Sequence, residues 1–196
     1  MAEISVEQIK KLKELSGAGL TDAKKALVEA DGDFDKALEA MRKKGLTKAE
    51  KRGARETREG LVDAYIHDGR LGAIVEVNCE TSFVAKTEEF KTLAHQIAMQ
   101  VASMAPLYVS EDDIPEDVKA AKMKELEANF KGPEKMKEQI LAGQAKKAFS
   151  DKVLMNQPYI LDDSKTVEQF IKEAIAKTGE NITVRQFKRI ELGVTE

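Results

Sequence analysis

The stretch from Tyr65 to Ala85 limits the fold most strongly, because it carries a hairpin signal followed by a strand that is apolar on both faces. Asp68-Gly69 favours a two-residue turn, since both central positions of a type I′ turn need a positive φ. In this register two apolar pairs are opposed across the hairpin: Ile66 with Leu71, and Ala64 with Ala73. Opposed residues share a face of a sheet, so we expect one face of this hairpin to be apolar.

A polar turn with one large ring follows the hairpin. The second strand is predicted to end at Asn78, and the turn Glu80-Thr81-Ser82-Phe83 comes next. We expect this turn to push the ring of Phe83 outward at the head of a long helix. The alternative is a core position for Phe83 at the helix start, and the residues alone leave both open.

The composition bounds the class of protein. The chain has 196 residues, 34% of them charged and 5% aromatic, which is typical of a soluble, helix-rich protein. Its net charge of −3 gives no indication of a nucleic-acid partner. Cys79 is the one cysteine, so we expect a reducing, cytoplasmic setting. The first residues are acidic and no long apolar run occurs, so we expect neither a signal peptide nor a membrane span.

Residues 1–45 are predicted to form a compact unit of three helices. A capping box of Ser5 and Gln8 starts the first helix, Thr21 can cap the second, and Gly45 ends the third. Apolar side chains at helical spacing are expected to face inward in these helices: Ile9, Leu12 and Leu15, then Ala23, Ala26 and Leu27, then Phe34, Ala37, Leu38 and Met41. Leu20 in the glycine-rich loop is either a core residue or an exposed contact.

Residues 46–59 are predicted to form a linker helix. Five basic residues occur in it, with glutamates between them: Lys48, Lys51, Arg52, Arg55 and Arg58. A phosphate-binding patch is the functional interpretation, and a solvated helix is the favoured one because the acidic residues interrupt the patch.

Residues 60–196 are predicted to form a core domain of sheet and helices. Apolar residues from Phe90 to Met104 recur three and four apart, which indicates an amphipathic helix. Two helices at about residues 115–150 are predicted to form an antiparallel helical hairpin, broken at Lys131-Gly-Pro133. A capping box of Thr166 and Gln169 begins another helix, and residues 182–190 should add the third strand of an antiparallel sheet. The predicted fold class is α+β.

The residues do not indicate an enzyme. His67 and His95 have no metal-ligand spacing with Cys79, and no glycine-rich phosphate-binding motif occurs. A cysteine nucleophile is disfavoured, since a single cysteine at a strand end is usually a small buried hydrophobe. We expect no cofactor and no metal ion.

Several motifs together resemble the bacterial elongation factor Ts family. They are Ser16-Gly-Ala-Gly-Leu-Thr-Asp-Ala-Lys-Lys-Ala-Leu27, Asp31-Gly-Asp33, Val75-Glu-Val-Asn-Cys-Glu-Thr-Ser-Phe-Val-Ala-Lys86, Gln157-Pro-Tyr159 and Ser164-Lys-Thr-Val167. They run in order over nearly the whole chain. The resemblance implies a guanine-nucleotide exchange factor for the GTPase elongation factor Tu. It also implies a ubiquitin-associated-like (UBA-like) domain at residues 1–45.

The resemblance also implies partner-binding residues. The turn Thr81-Ser82-Phe83-Val84 matches the motif that enters the GTPase near its magnesium ion, although the family's acidic middle residue is replaced by Ser82. We expect Phe83 to insert between two helices of the GTPase. Leu20 matches an apolar loop position that contacts the GTPase.

The chain is short for this family, because longer members repeat the core unit. We therefore expect a homodimer, sheet against sheet, in which His67 reaches the GTPase from the second subunit; a surface histidine beside a turn is the alternative. Two other functions stay open: a helical adaptor, and an RNA or ribosome binder using the basic stretch. The exchange hypothesis predicts no direct nucleic-acid contact.

Overall fold

The computed structural model describes residues 4–130 and 136–194. The chain divides into two compact units. The first comprises residues up to Val62, Glu76–Ala94 and Gln169–Val184. The second comprises Asp63–Val75, His95–Glu168 and the residues from Arg185 onward. The domain limits expected at residues 45 and 59 stay predictions.

Three helices at the start of the chain pack against one another: α1 (Val6–Ser16), α2 (Leu20–Glu29) and α3 (Phe34–Arg52). The predicted capping box is present, with the Gln8 N–H donating to Ser5 Oγ at 3.1 Å and the Ser5 N–H donating to Gln8 Oε1 at 3.0 Å. The side chain of Asp33 caps α3 by accepting the N–H of Lys36 at 3.1 Å. The core of this bundle is Ile9, Leu12, Ala23, Ala26, Leu27, Ala37 and Met41. The bundle is confirmed, and its UBA-like character stays a prediction.

Three local predictions for these helices are wrong. Thr21 lies inside α2, whose N-cap is Gly19, and Leu15 is exposed. Gly45 does not end α3, which continues to Arg52, so residues 46–59 form no separate linker helix. A Cβ at Gly45 would lie 3.1 Å from the Cβ of Ala176, so the missing side chain permits this close packing. Packing thus outweighs the low helix propensity of glycine.

The predicted three-stranded sheet is present, in the order β1 (Glu59–His67), β2 (Leu71–Cys79) and β5 (Ile182–Glu191). Asp68 and Gly69 have φ values of 49° and 64°, and the Arg70 N–H donates to the His67 carbonyl at 2.9 Å.

The predicted apolar face of the hairpin is wrong. Ala64 and Ile66 are exposed, whereas Ala73 is buried. The loop between β1 and β2 has three residues, 68–70, where two were predicted. The pairing register is therefore shifted by one residue, and such a shift turns every side chain of a strand to the other face. Tyr65 of β1 points to the less exposed side instead.

Helix α5 (Glu88–Met104) buries its predicted stripe: Phe90, Leu93, Ala94, Ile97, Ala98 and Val101, although Met104 is exposed. A separate helix of four residues, α4 (Ser82–Ala85), precedes it. Phe83 therefore does not lie at the head of the long helix.

Helices α6 (Glu116–Ala128) and α7 (Lys137–Ser150) pack against each other. The predicted break at 131–133 lies outside the described residues, so the antiparallel helical hairpin stays a prediction. Two short strands that the sequence did not indicate, β3 (Pro158–Tyr159) and β4 (Asp162–Thr166), form a small sheet before α8 (Val167–Thr178). Among the described residues no helix is long and apolar enough to cross a membrane.

Two buried glutamines fix the segment around β3. Gln100 donates to Gln157 Oε1 and to the Pro158 carbonyl, both at 3.1 Å, and accepts the N–H of Ile160 at 2.8 Å. The side chain of Gln157 donates to the Met104 and Asp151 carbonyls. Because buried amide groups are costly unless they are paired, this network specifies one arrangement of α5 and the β3 segment.

Candidate partner-binding site

The turn after β2 presents a phenyl ring to solvent. Phe83 is 85% exposed, while Cys79 before it and Ala85 after it are buried. Ser82 and Val84 are half-buried. A ring this exposed contributes nothing to the core, and aromatic residues are enriched at protein–protein contacts. The core alternative for Phe83 is therefore excluded.

Thr81 fixes the start of α4 in two ways. Its φ of −130° and ψ of 151° are typical of an N-cap, and its hydroxyl oxygen accepts the N–H of Val84 at 3.5 Å. Its own donors go to Glu180: the backbone N–H donates to Oε2 at 3.0 Å, and the hydroxyl donates to Oε1 at 2.6 Å.

Glu80, the residue before Thr81, binds Asn181, the residue after Glu180. Its Oε1 accepts the backbone N–H of Asn181 at 2.6 Å, and Arg55 lies 3.4 Å away. The hydrogen bond from Asn181, helped by the positive charge of Arg55, lowers the pKa of the Glu80 carboxyl below its usual value of 4.5. The carboxylate therefore stays ionised at neutral pH.

Cys79 is not arranged as a nucleophile. Its thiol is buried and donates to the Thr81 carbonyl at 3.2 Å. Burial and the nearby charge of Glu180 raise the pKa of this thiol above 9.0. A neutral buried thiol is a poor nucleophile, so Cys79 supports the turn by packing and hydrogen bonding.

Leu20 is the first residue of α2 and is 55% exposed, so it is not part of the core of the bundle. It lies on a different element from Phe83, although both belong to the first unit. Its contact with a partner stays a prediction.

His67 belongs to the second unit and ends β1. Its Nδ1 lies 2.9 Å from the hydroxyl of Tyr65, whose ring also stacks on the imidazole. Tyr65 contacts His95 edge-on, and His95 pairs with Asp63 at 3.3 Å. His67 is thus held in place while its imidazole remains mostly exposed.

Three residues of the basic stretch make contacts within the first unit. Arg52 donates to the Ile175 carbonyl at 3.3 Å, Arg55 pairs with Glu80, and Arg58 lies 2.8 Å from Glu56. The side chains of Arg55 and Arg58 are largely exposed, and exposed ion pairs are weak, so the phosphate-binding interpretation stays a prediction. Among the described residues, no cluster of histidine, cysteine and acidic side chains could hold a metal ion.

Sequence reasoning missed Glu180 and Asn181. They lie between α8 and β5, 99 and 101 positions from the residues of the turn that they bind. The one available signal was the predicted antiparallel third strand, whose start would lie beside the end of β2 if the two strands paired.

Comparison with known proteins gives one consistent result. The profile of a family described as Elongation factor TS matches residues 4–194. An elongation factor Ts from Thermotoga maritima is 51% identical over 193 residues, which cover 97% of each chain. One from Moorella thermoacetica is 50% identical over 194 residues, covering 97% of this chain and 96% of the relative. One from Rippkaea orientalis is 51% identical and is matched over 80% of its own length.

Proposed function

The chain belongs to the elongation factor Ts family, as a short bacterial form, and we propose that it is the guanine-nucleotide exchange factor of elongation factor Tu. Membership makes it an elongation factor of protein biosynthesis. The observation that best supports exchange is the exposure of the Phe83 ring, which is 85%. The turn that carries this ring is held by hydrogen bonds at its first two residues, Glu80 and Thr81. We also infer that the protein works in the cytoplasm, where elongation takes place.

In the proposed mechanism, Phe83 inserts between two helices of the GTPase and displaces the groups that hold Mg²⁺ and the β-phosphate. Phosphate-binding loops act through aimed backbone N–H groups and a divalent ion. A small displacement therefore weakens several charge-assisted contacts together. The factor itself makes and breaks no covalent bond.

Ser82 limits this mechanism to displacement by the ring and backbone. The family has an acidic residue at this position, whereas a serine hydroxyl carries no charge that could act on the magnesium site. Thr81 and Val84 keep the turn motif, and their hydrogen bond is part of the cap of α4.

Exchange also follows a thermodynamic rule. If the factor weakens GDP binding by some ratio, GDP weakens binding of the factor by the same ratio. The factor therefore stabilises the nucleotide-free GTPase and leaves when GTP binds.

A second contact is assigned to Leu20. An exposed leucine at the start of a helix can enter an apolar depression on the GTPase, and it would anchor the helical bundle at a second point. Two anchors on one partner raise affinity because the second contact forms at high effective concentration.

We further propose that two chains pair through their sheets. In the second unit, exposed aliphatic side chains occur on the hairpin and along β5 and the residues after it: Ile66, Ile74, Ile190, Leu192 and Val194. A second copy is the occupant that fits them, because the short chain carries one core unit where longer relatives carry two. His67 of one subunit would then contact the GTPase beside Phe83 of the other.

Release of labelled GDP from elongation factor Tu, with and without this chain, tests the proposal. We expect a large acceleration that saturates with factor concentration. An unchanged rate would contradict it. An RNA binder would instead show RNA affinity that falls steeply with salt, and a helical adaptor would bind a peptide without affecting GDP.

A further inference from the structure

We propose that Glu180 is a positioning residue for nucleotide exchange, because its carboxylate fixes the turn that carries Phe83. This inference rests on the proposed function. No motif in the sequence indicated Glu180, which directly precedes the buried Asn181 before β5.

The contact between Glu180 and Thr81 uses both carboxylate oxygens. Oε2 accepts the Thr81 backbone N–H at 3.0 Å, and Oε1 accepts the Thr81 hydroxyl at 2.6 Å. Two parallel hydrogen bonds to an ionised acceptor fix both the position and the rotation of the bound group. The backbone and the side chain of Thr81 are therefore held together.

This contact determines how Thr81 caps α4. Because the hydroxyl proton is donated to Glu180, the oxygen lone pairs are directed to the N–H of Val84. Phe83 is the second residue of this four-residue helix. Helices this short have little stability of their own, so the cap at Thr81 helps to set the direction of the ring.

A second contact braces the same turn from the neighbouring residue. The Asn181 N–H donates to Glu80 at 2.6 Å, and the Asn181 side chain donates to the carbonyls of Arg55 at 2.7 Å and Gly53 at 3.3 Å. Residues 80–81 and 180–181 therefore bind each other in two places, and Asn181 also binds residues 53–55.

The rigidity of this turn matters for exchange as well as for the stability of the fold. A ring displaces the helices of a partner only if its own support resists the opposing force; a loose turn would move instead. Misplacement by about 1 Å can lower a rate about 100-fold in preorganised sites. The buried core of the helical bundle lies elsewhere, at residues such as Leu12 and Leu27, so loosening this turn leaves that core intact.

The test compares Glu180→Ala with Glu180→Gln. For Glu180→Ala we expect the maximal rate of GDP release at saturating factor to fall about tenfold, the loss typical of charge-assisted hydrogen bonds. The half-saturating concentration should change much less, because the exposed contact surface is retained. Glu180→Gln should recover much of the rate, since its amide oxygen still accepts one hydrogen bond from Thr81.

A double mutant separates positioning from general damage. In a Phe83→Ala background, Glu180→Ala should add little further loss, because its effect passes through the ring. Glu138→Ala, which removes an exposed carboxylate on α7, should leave the rate unchanged.

Two outcomes would overturn the inference: an unchanged maximal rate for Glu180→Ala, or losses that multiply independently in the double mutant. Two further results are distinct from these. An undiminished rate for Phe83→Ala alone would contradict the role proposed for the ring, and a wild-type chain that does not accelerate GDP release would contradict the proposed function itself. Thermal unfolding of each variant shows whether a lost rate reflects loss of the folded protein.

Discussion

Leu20 and Leu12 lie on neighbouring helices of one bundle, yet Leu20 is 55% exposed and Leu12 is fully buried. Burial of a leucine side chain contributes about 1.5–3 kcal/mol to the free energy of unfolding. An exposed leucine contributes little to that free energy. At the residue scale, the two leucines therefore predict opposite effects on stability and on binding.

We predict that Leu20→Asp weakens the complex with elongation factor Tu but leaves the midpoint of thermal unfolding nearly unchanged. Leu12→Ala is the matched control, and it should cost about 2–5 kcal/mol of unfolding free energy. Titration calorimetry gives the affinity and scanning calorimetry the midpoint. A large loss of stability in Leu20→Asp would contradict the assignment of Leu20 as a contact.

Glu80 predicts an acid-dependent stability. Its folded-state pKa is lowered, mainly by the N–H of Asn181, so folding favours the ionised form. This contribution is present above the usual carboxyl value of 4.5 and is lost as the pH falls through the lowered folded-state value. Glu80→Gln should therefore unfold earlier than the parent at pH 7, with a difference that shrinks in acid. A difference independent of pH would exclude this cause.

At the element scale, two glycines show how position decides the effect of one methyl group. Gly60 in β1 has a φ of +150°, and a Cβ there would meet the carbonyl oxygen of Val77 and lie 2.7 Å from Asn78 Cα. Gly143 in α7 has no atom within 4 Å of the same position. Backbone atoms cannot rotate away, so Gly60 permits a close approach of β1 to β2.

Gly60→Ala should lower the free energy of unfolding by about 2 kcal/mol or more, because both strain and a clash oppose it. Gly143→Ala should raise it by about 0.5–1 kcal/mol, since alanine is the better helix former. Urea denaturation measures both. Equal effects of the two substitutions would show that the close approach at Gly60 is absent.

The elements differ in how far the sequence could predict them. Helix α5 was predictable because its buried residues recur three and four apart. The position of the turn at Asp68-Gly69 was predictable because φ > 0 restricts residue type, but its predicted length of two residues was wrong. The end of α3 was not predictable, because a glycine often ends a helix. Only the packing of Gly45 on Ala176 explains why α3 continues past it. The turn that carries Phe83 is held by contacts between residues about a hundred positions apart, and such contacts leave no local pattern in the sequence.

At the scale of the whole molecule, the proposed dimer predicts a concentration-dependent mass. Sedimentation should show a dimer at micromolar concentration. Ile66→Asp should shift it to the monomer because Ile66 is exposed on the hairpin, whereas Val28→Asp on α2 should not. A wild-type monomer that still exchanges nucleotide would defeat the dimer proposal and leave the role of Phe83 untouched.

The most direct measurement of the central claim is the rate of labelled GDP release from elongation factor Tu in the presence of Phe83→Ala. We predict that the substitution lowers this rate tenfold or more, which corresponds to about 1.4 kcal/mol per factor of ten, and that thermal unfolding is unchanged because the ring is exposed. Leu161→Ala, which truncates another exposed apolar residue, should exchange nucleotide as the wild type does. If Phe83→Ala accelerates GDP release from elongation factor Tu as much as the wild type does, the role of the ring is contradicted.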